Sequence, residues 1–323
     1  MKSAGGNLFK TVYVITSSGS DVFADMAFVS ILSLRITNPH IQVVAVCDSA
    51  SATALKNARH KLLDLCEMVS VPTPDGVPTY RNRWIKSQLN QFVQGNVLYT
   101  DADTIIRRSL ADIPALVEEF GGVSNENRAN VQNQGCKQDI SVYSKMGWSF
   151  DFPIYVNGGV WFYKPTPRVS TFFQMWHQFW NSTAQSPIQC FQDQPSLNKA
   201  LLDSKVLINE LPAKFNLQLS ASWEGASDAA VWHFYSSQGS QKNFYTEILA
   251  KARALPPKKF ERFIKLAMEM PAPWANLDPF ARFLACRAEK RGETRPEEWL
   301  WLNGRRTEAL RFYLGKLKQG FVS

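Results

Sequence analysis

Apolar positions along this chain switch repeatedly between a continuous run and a helical period. Thr11-Val-Tyr-Val-Ile-Thr16 is a β-branched run ending in the turn-rich Ser17-Ser-Gly-Ser20, which predicts a first strand. Asp21 stands where a helix cap is wanted, ahead of Val22 to Arg35, whose apolar residues recur at helical spacing. Asn38-Pro39 breaks that pattern, and Ile41 to Cys47 is a second, near-continuous apolar strand. Asp48 and Ser49 open another loop-to-helix transition through Leu63, and Val69 to Pro72 is a shorter third strand. Trp84 to Phe92 fits a helix closed by Gly95-Asn96, and Val97-Leu-Tyr-Thr100 then runs straight into Asp101-Ala-Asp103. Strands apolar on both faces, alternating with helices, predict an α/β fold with a mainly parallel sheet covered on both sides.

The second half continues in kind. Ile154 to Tyr163 is an aromatic and β-branched run interrupted by Gly158-Gly159, and Pro165 and Pro167 close it. Phe172 to Trp180 is an aromatic helix, Gln192 to Asn198 opens another through Leu202, and Val206 to Leu211 is a short strand. Ala230-Val-Trp-His233-Phe234 is the last strand. From about residue 243 the pattern becomes basic and helical, punctuated by Pro256, Pro257, Pro271, Pro273 and Pro279. The expected division is therefore a larger unit over 1–245 and a basic helical C-terminal extension over 246–323.

Composition adds limits. A chain of 323 residues, nearly half hydrophobic, can bury one large core or a core with an appendage. No stretch approaches the roughly 18 apolar residues of a membrane span, and the N-terminal run is too short and too poorly flanked for a secretory signal. Cys47, Cys66, Cys136, Cys190 and Cys286 are scattered without CxxC spacing, so neither a disulfide framework nor a zinc cluster is expected. A cytoplasmic protein with free thiols follows, and the sequon Asn181-Ser182-Thr183 is then coincidental. The net charge of +8 resides entirely in the stretch from Lys251 to the end, where 16 Lys and Arg face 8 Asp and Glu. There Phe260, Phe263, Ile264, Ala267 and Met268 form an apolar stripe beside Lys258, Lys259, Arg262 and Lys265, and Ala309 to Lys318 again mixes aromatics and cations. Such helices either lie at an anionic membrane surface or pack their apolar face on the preceding unit. No nucleic-acid-binding module accompanies the charge.

The chemistry concentrates at Asp101 and Asp103. Residues two apart in extended backbone point the same way, so both carboxylates face one ligand. Carboxylates this close repel unless a cation or proton lies between them, and Mg²⁺ or Mn²⁺ suits hard oxygen donors. The alternative is an exposed acidic turn. In open parallel sheets ligands bind beyond the carboxyl ends of strands, where this pair falls.

Asn96-Val-Leu-Tyr-Thr-Asp-Ala-Asp-Thr-Ile-Ile106 resembles the DXD segment of the retaining glycosyltransferases of family 8, the group containing glycogenin and bacterial lipopolysaccharide galactosyltransferases. Further blocks follow in that family's order: Tyr155-Val-Asn-Gly-Gly-Val-Trp-Phe162, Gln192-Asp193-Gln194 with Leu197-Asn198, Leu211-Pro212 through Phe215-Asn216, and Val231-Trp-His233-Phe234. The resemblance implies a GT-A type nucleotide-diphospho-sugar transferase. It would move a hexose from a UDP-sugar to a saccharide or lipid-linked acceptor with retention, and use Mn²⁺ or Mg²⁺. It makes Asp101, Asp103 and His233 the metal ligands, and puts Asp101 and Ala102 beside the donor. It places Thr16 and Ser17 at the nucleobase and Arg83 or Lys86 at the nucleotide. Asn157, Gly158 and Gly159 would lie close to the donor sugar, and Asp193 and Gln194 beside its reacting face, orienting the acceptor or stabilising an oxocarbenium-like centre. The alternatives are a solvated helix face for Arg83 and Lys86, a β-bulge for the glycine pair and a helix N-cap for Asp193. Lys242 is the candidate for the cationic phosphate grip, but it lies nine residues after His233, where the family spacing is six, so the grip departs from the family there. Two rival readings are a sugar-phosphate nucleotidyltransferase, whose basic phosphate loop is missing from Ser17 to Ser20, and a non-catalytic carbohydrate or membrane adaptor.

Overall fold

In the computed structural model, which describes residues 9–127, 137–220, 225–236, 239–270, 272–273, 284, 287, 295–302 and 306–320, the first apolar run is β1 (Lys10–Ile15). Asp21 caps α1 (Val22–Thr37), its carboxylate accepting the Phe23 and Ala24 amides. β2 (Gln42–Asp48), α2 (Ser49–Asn57) and β3 (Glu67–Val71) follow. The helix expected over Trp84 to Phe92 starts earlier. α3 (Pro78–Lys86) opens on a proline, whose missing N–H is free to be at a helix start, and a break at Ser87-Gln88 separates it from the single turn α4 (Leu89–Phe92). β4 (Val97–Thr100) follows as expected.

Next come β5 (Thr104–Ile106), α5 (Ile113–Leu116), β6 (Phe120–Ser124) and α6 (Lys137–Met146). The chain continues with β7 (Val156–Tyr163), α7 (Pro167–Gln185), α8 (Gln194–Asp203), β8 (Ile208–Glu210), β9 (Leu217–Gln218) and β10 (Val231–His233). The last helices are α9 (Gly239–Ala254), α10 (Pro257–Glu269), α11 (Pro296–Leu302) and α12 (Arg306–Gly320).

The main sheet has the order β3-β2-β1-β4-β7-β6-β8. Its left half is parallel, β7 runs antiparallel to both β4 and β6, and β6 pairs parallel with β8. A second, three-stranded sheet has the order β5-β10-β9. Alternate residues of the central strands feed opposite faces, which is why their sequences read as continuous apolar runs. Tyr13, Ile15, Val43, Ala45, Leu98 and Phe162 face α1, α9, α10 and the small sheet, while Val12, Val14, Val44, Tyr99 and Trp161 face α3, α7 and α8. Trp161 is fully buried and stacks on Tyr99 with centroids 4.6 Å apart.

The basic stripe takes the packing alternative. Phe260, Ile264, Ala267 and Met268 of α10 are buried in the core, and Phe260 lies 5.7 Å from Phe28 of α1 between ring centroids. That face is therefore not available to a membrane, and the lysines point outward. Residue 245, where the boundary was expected, falls inside α9, which packs on α1. In α12, Ala309 is buried while Leu310, Phe312, Tyr313 and Leu314 are exposed. No helix among the described residues is long and apolar enough to cross a membrane. Cys47, Cys66 and Cys190 are free thiols, whereas Cys136, Cys286, Pro271 and Pro279 lie outside the described residues.

Candidate active site

β4 ends at Thr100, and the next three residues form the junction between the two sheets. The Asp101 amide donates to Gly159 O of β7 at 2.7 Å, and Asp103 O accepts the Phe234 amide, just past β10, at 2.9 Å. His233, the last residue of β10, pairs in register with Thr104. The backbone thus brings the side chains of Asp101, Asp103 and His233 together, with ligand atoms within 4.8 Å of one another. His233 Nε2 is buried without a hydrogen-bond partner among the described residues and stands 3.3 Å from Asp103 Oδ1. A divalent cation fits this donor set: two hard carboxylates plus an imidazole nitrogen that no other described residue satisfies.

Behind this corner α3 presents two cations. Lys86 is 1% exposed, a burial that only pairing makes tolerable. Its ammonium lies 2.7 Å from Asp193 Oδ2 and 3.3 Å from Asp101 Oδ1, and 4.5 Å above the Tyr99 ring. One turn earlier Arg83 Nε is 3.0 Å from Asp193 Oδ1. Asp193 sits at the N-cap position of α8 yet makes no capping bond, because its carboxylate is held by these two cations. The helix-cap alternative therefore does not account for its side chain. Burial pushes the Asp193 carboxyl up, but Arg83 and Lys86 more than offset that and hold it below the usual carboxylate range. Tyr99 OH donates to Asp101 Oδ1, and burial together with the Asp101 charge keeps that phenol protonated.

The glycine pair lies on an irregular stretch of β7. Pairing with β6 passes from Gly122↔Trp161 to Ser124↔Val156, so Asn157 to Val160 bulge past β6 and turn their polar groups to the site. The Gly158 amide donates to Gln194 Oε1 at 3.0 Å and the Gly159 amide to Asn157 Oδ1 at 2.9 Å. A β-carbon at Gly158 would meet only ordinary contacts, whereas one at Gly159 would come 2.2 Å from His233 Cε1. The Gln194 amide group is fixed on both sides, its nitrogen donating to Asp139 Oδ2 at 3.0 Å.

These side chains line a cavity of ≈ 1110 Å³ that extends past Gln194 to Asp139, Lys145 and the Ile188 to Gln192 loop. A smaller one of ≈ 190 Å³ adjoins it at Arg83, Asp101 and Asp103, walled by Thr16, Phe23, Met26 and Asn82. Of the residues expected at the site, Arg83, Lys86, Asp101, Asp103, Asn157, Gly158, Gly159, Asp193, Gln194 and His233 line the larger cavity, and Thr16 and Ala102 the smaller. Two are elsewhere. Ser17 turns its hydroxyl to Asp21 Oδ1, because that carboxylate organises the loop before α1. Lys242 is exposed on α9 and lines neither cavity. The sequence pattern passed over Tyr99, Asp139, Asn125 and Tyr235. Tyr99 lies within the apolar strand run, and the others lie in segments with no distinctive period.

The family model for nucleotide-diphospho-sugar transferases matches residues 43–276. No curated protein matches the chain in sequence. Among solved structures, the galactosyltransferase LgtC, in complex with donor and acceptor sugar analogs, superposes with a TM-score of 0.50 at 15% identity, over 77% of this chain and 98% of that one. The glycosyltransferase GlyE of Streptococcus pneumoniae TIGR4 gives 0.51 at 14% identity, over 82% of this chain and 66% of its own. The bifunctional glycosyltransferase WbbM gives 0.51 at 13%, this chain covering 53% of that longer protein. These likenesses establish the shared fold, a mostly parallel sheet flanked by helices. The chain belongs to the nucleotide-diphospho-sugar transferase family and is a glycosyltransferase of GT-A fold.

Proposed function

We propose that the chain transfers a hexose from a UDP-sugar to a saccharide or lipid-linked acceptor, with retention of configuration, and that Asp101, Asp103 and His233 hold a divalent ion, Mn²⁺ or Mg²⁺. The proposal rests on one juxtaposition: a three-ligand corner with an unsatisfied imidazole nitrogen, open to a large cavity and walled by the Lys86–Asp193–Arg83 cluster. When bound, the ion supplies positive charge against the departing diphosphate. The smaller cavity suits the nucleoside, with Phe23 and Met26 as apolar walls and Thr16 and Asn82 as polar ones. Asp193, kept ionised by its two cations, supplies a fixed negative charge beside the reacting sugar, where positive charge develops as the glycosidic bond breaks. Gln194 is a positioned amide. Its oxygen accepts from both Gly158 N and Asn157 Nδ2, which weakens it as a nucleophile and favours a same-face displacement assisted by the leaving phosphate.

The nucleotidyltransferase reading gains nothing from the first loop. The Ser18 amide there donates to the Asp21 carboxylate at 2.6 Å, an anion where phosphate would have to sit. The test is UDP release from a panel of UDP-sugars, with Mn²⁺ or with chelator, alongside UDP binding read by thermal shift. Metal-dependent binding and turnover, both lost in Asp103→Ala, are expected. Absence of turnover together with absence of metal-dependent UDP binding overturns the proposal.

A further inference from the structure

Behind His233 lies a chain of buried amides whose direction is set at its far end. The Gly159 backbone N–H, which can only donate, lies 2.9 Å from an Asn157 side-chain atom, so that atom is the oxygen Oδ1. The same oxygen accepts Asn216 Nδ2 at 2.9 Å. Asn157 Nδ2 points the other way, to Asn125 Oδ1 at 3.0 Å and Gln194 Oε1 at 3.3 Å. Asn216 therefore turns its own oxygen to His233 Nδ1, 2.9 Å away. An amide oxygen only accepts, so the ring hydrogen belongs on Nδ1. In the neutral ring Nε2 is then bare, and it faces Asp103 Oδ1 at 3.3 Å with no donor between them. Asn157, Asn216 and His233 are each 3% exposed or less, so the amide chain itself is shielded from water. A cation between Nε2 and Asp103 relieves the opposition of the two acceptors.

We propose that Asn216, polarised through Asn157 by the Gly159 amide, is the positioning residue that holds His233 as its Nδ1–H tautomer and aims Nε2 at a divalent cation. This rests on the metal reading of the corner. It adds that the imidazole is committed to that role before any ion arrives, by Asn216, which itself lines neither cavity. Outer hydrogen bonds of this kind fix the tautomer and orientation of ligating histidines, and their loss weakens metal binding by about 10–100-fold.

Two measurements on the full chain test the proposal. Long-range proton–nitrogen spectra of the metal-free protein, labelled at histidine, report the tautomer of His233 directly, and Nδ1–H is expected without any substitution being made. Calorimetric titration with Mn²⁺ then compares wild type with Asn216→Leu and Asn216→Asp. The leucine variant is expected to lose the Nδ1–H signature and about 10–100-fold in Mn²⁺ affinity. The aspartate variant, which still offers an oxygen to Nδ1–H, is expected to keep both. An Nε2–H ring in the wild type, or a leucine variant that binds Mn²⁺ as tightly, overturns the relay while leaving the metal reading intact. Failure of the wild type to bind Mn²⁺ overturns both.

Discussion

A methyl group at position 159 would come 2.2 Å from His233 Cε1 and 2.9 Å from each ring nitrogen. Neither the imidazole, held by Asn216, nor the β7 backbone, bonded to Asp101, can give way freely. Gly159→Ala is expected to cost about 1–3 kcal/mol of stability, as overpacking does, and to remove the Mn²⁺-dependent thermal shift; Gly158→Ala, with open contacts, should do far less. Asp193 offers a test of a different kind. Its folded carboxyl is depressed by Arg83 and Lys86, so its contribution to stability is full above the unfolded value of about 3.9 and is lost as pH falls through the lower folded value. Denaturant midpoints measured from pH 6 downward should fall less steeply for Asp193→Asn than for wild type. At this scale the acidic pair was legible because two carboxylates one residue apart after a strand are chemically conspicuous. Asn216 stands out only as part of a block, since a buried asparagine has no spacing of its own and its role exists only through its partners Asn157 and His233.

Elements built from continuous apolar runs were the legible ones: β1, β2, β4 and β7 all form where the pattern put them. β6 escaped notice because Gly121 and Gly122 weaken any strand signal. They are required there, since a β-carbon at either would come 2.4 Å from a Val117 or Val156 methyl. β5 is only three residues long, and α6 is too polar to show a helical stripe. Just after β5, buried Arg107 binds several elements together. Its guanidinium donates to Met268 O and Met270 O at the end of α10 and to Ala226 O, Ser227 O and Ala229 O before β10, and it lies 3.8 Å over the Trp232 ring. A cation suits carbonyls that crowd at a helix C-terminus. Arg107→Ala leaves several of these acceptors dry and should destabilise by about 3 kcal/mol in urea unfolding.

Across the molecule, α9 and α10 pack against α1 and the core. Lys61 Nζ donates to Ala252 O at 2.9 Å and Leu255 O at 3.2 Å at the end of α9, Arg253 pairs with Asp25 of α1, and Phe260 is fully buried against Phe28. We therefore expect Phe260→Ala to cost about 3–5 kcal/mol. Lys258→Glu and Lys259→Glu, on exposed positions, should stay within about 0.5 kcal/mol. A single unfolding transition that shifts as a whole in Phe260→Ala would place α10 within the catalytic unit; an unchanged main transition would restore the division at 245. Sequence pattern could not decide this, because an amphipathic basic stripe reads identically whether its apolar side meets protein or lipid.

The segment from Asp101 to Asp103 has one end bonded to the seven-stranded sheet and the other to the three-stranded one. The reactive corner is thus also the weld between two sheets. Its backbone cannot come loose by the fraying of a single loop, since freeing it means parting the sheets, an event close to global unfolding in free energy. A ligand seated there reinforces the whole architecture, so occupancy and resistance to unfolding become one linked quantity that rises with the logarithm of ligand concentration.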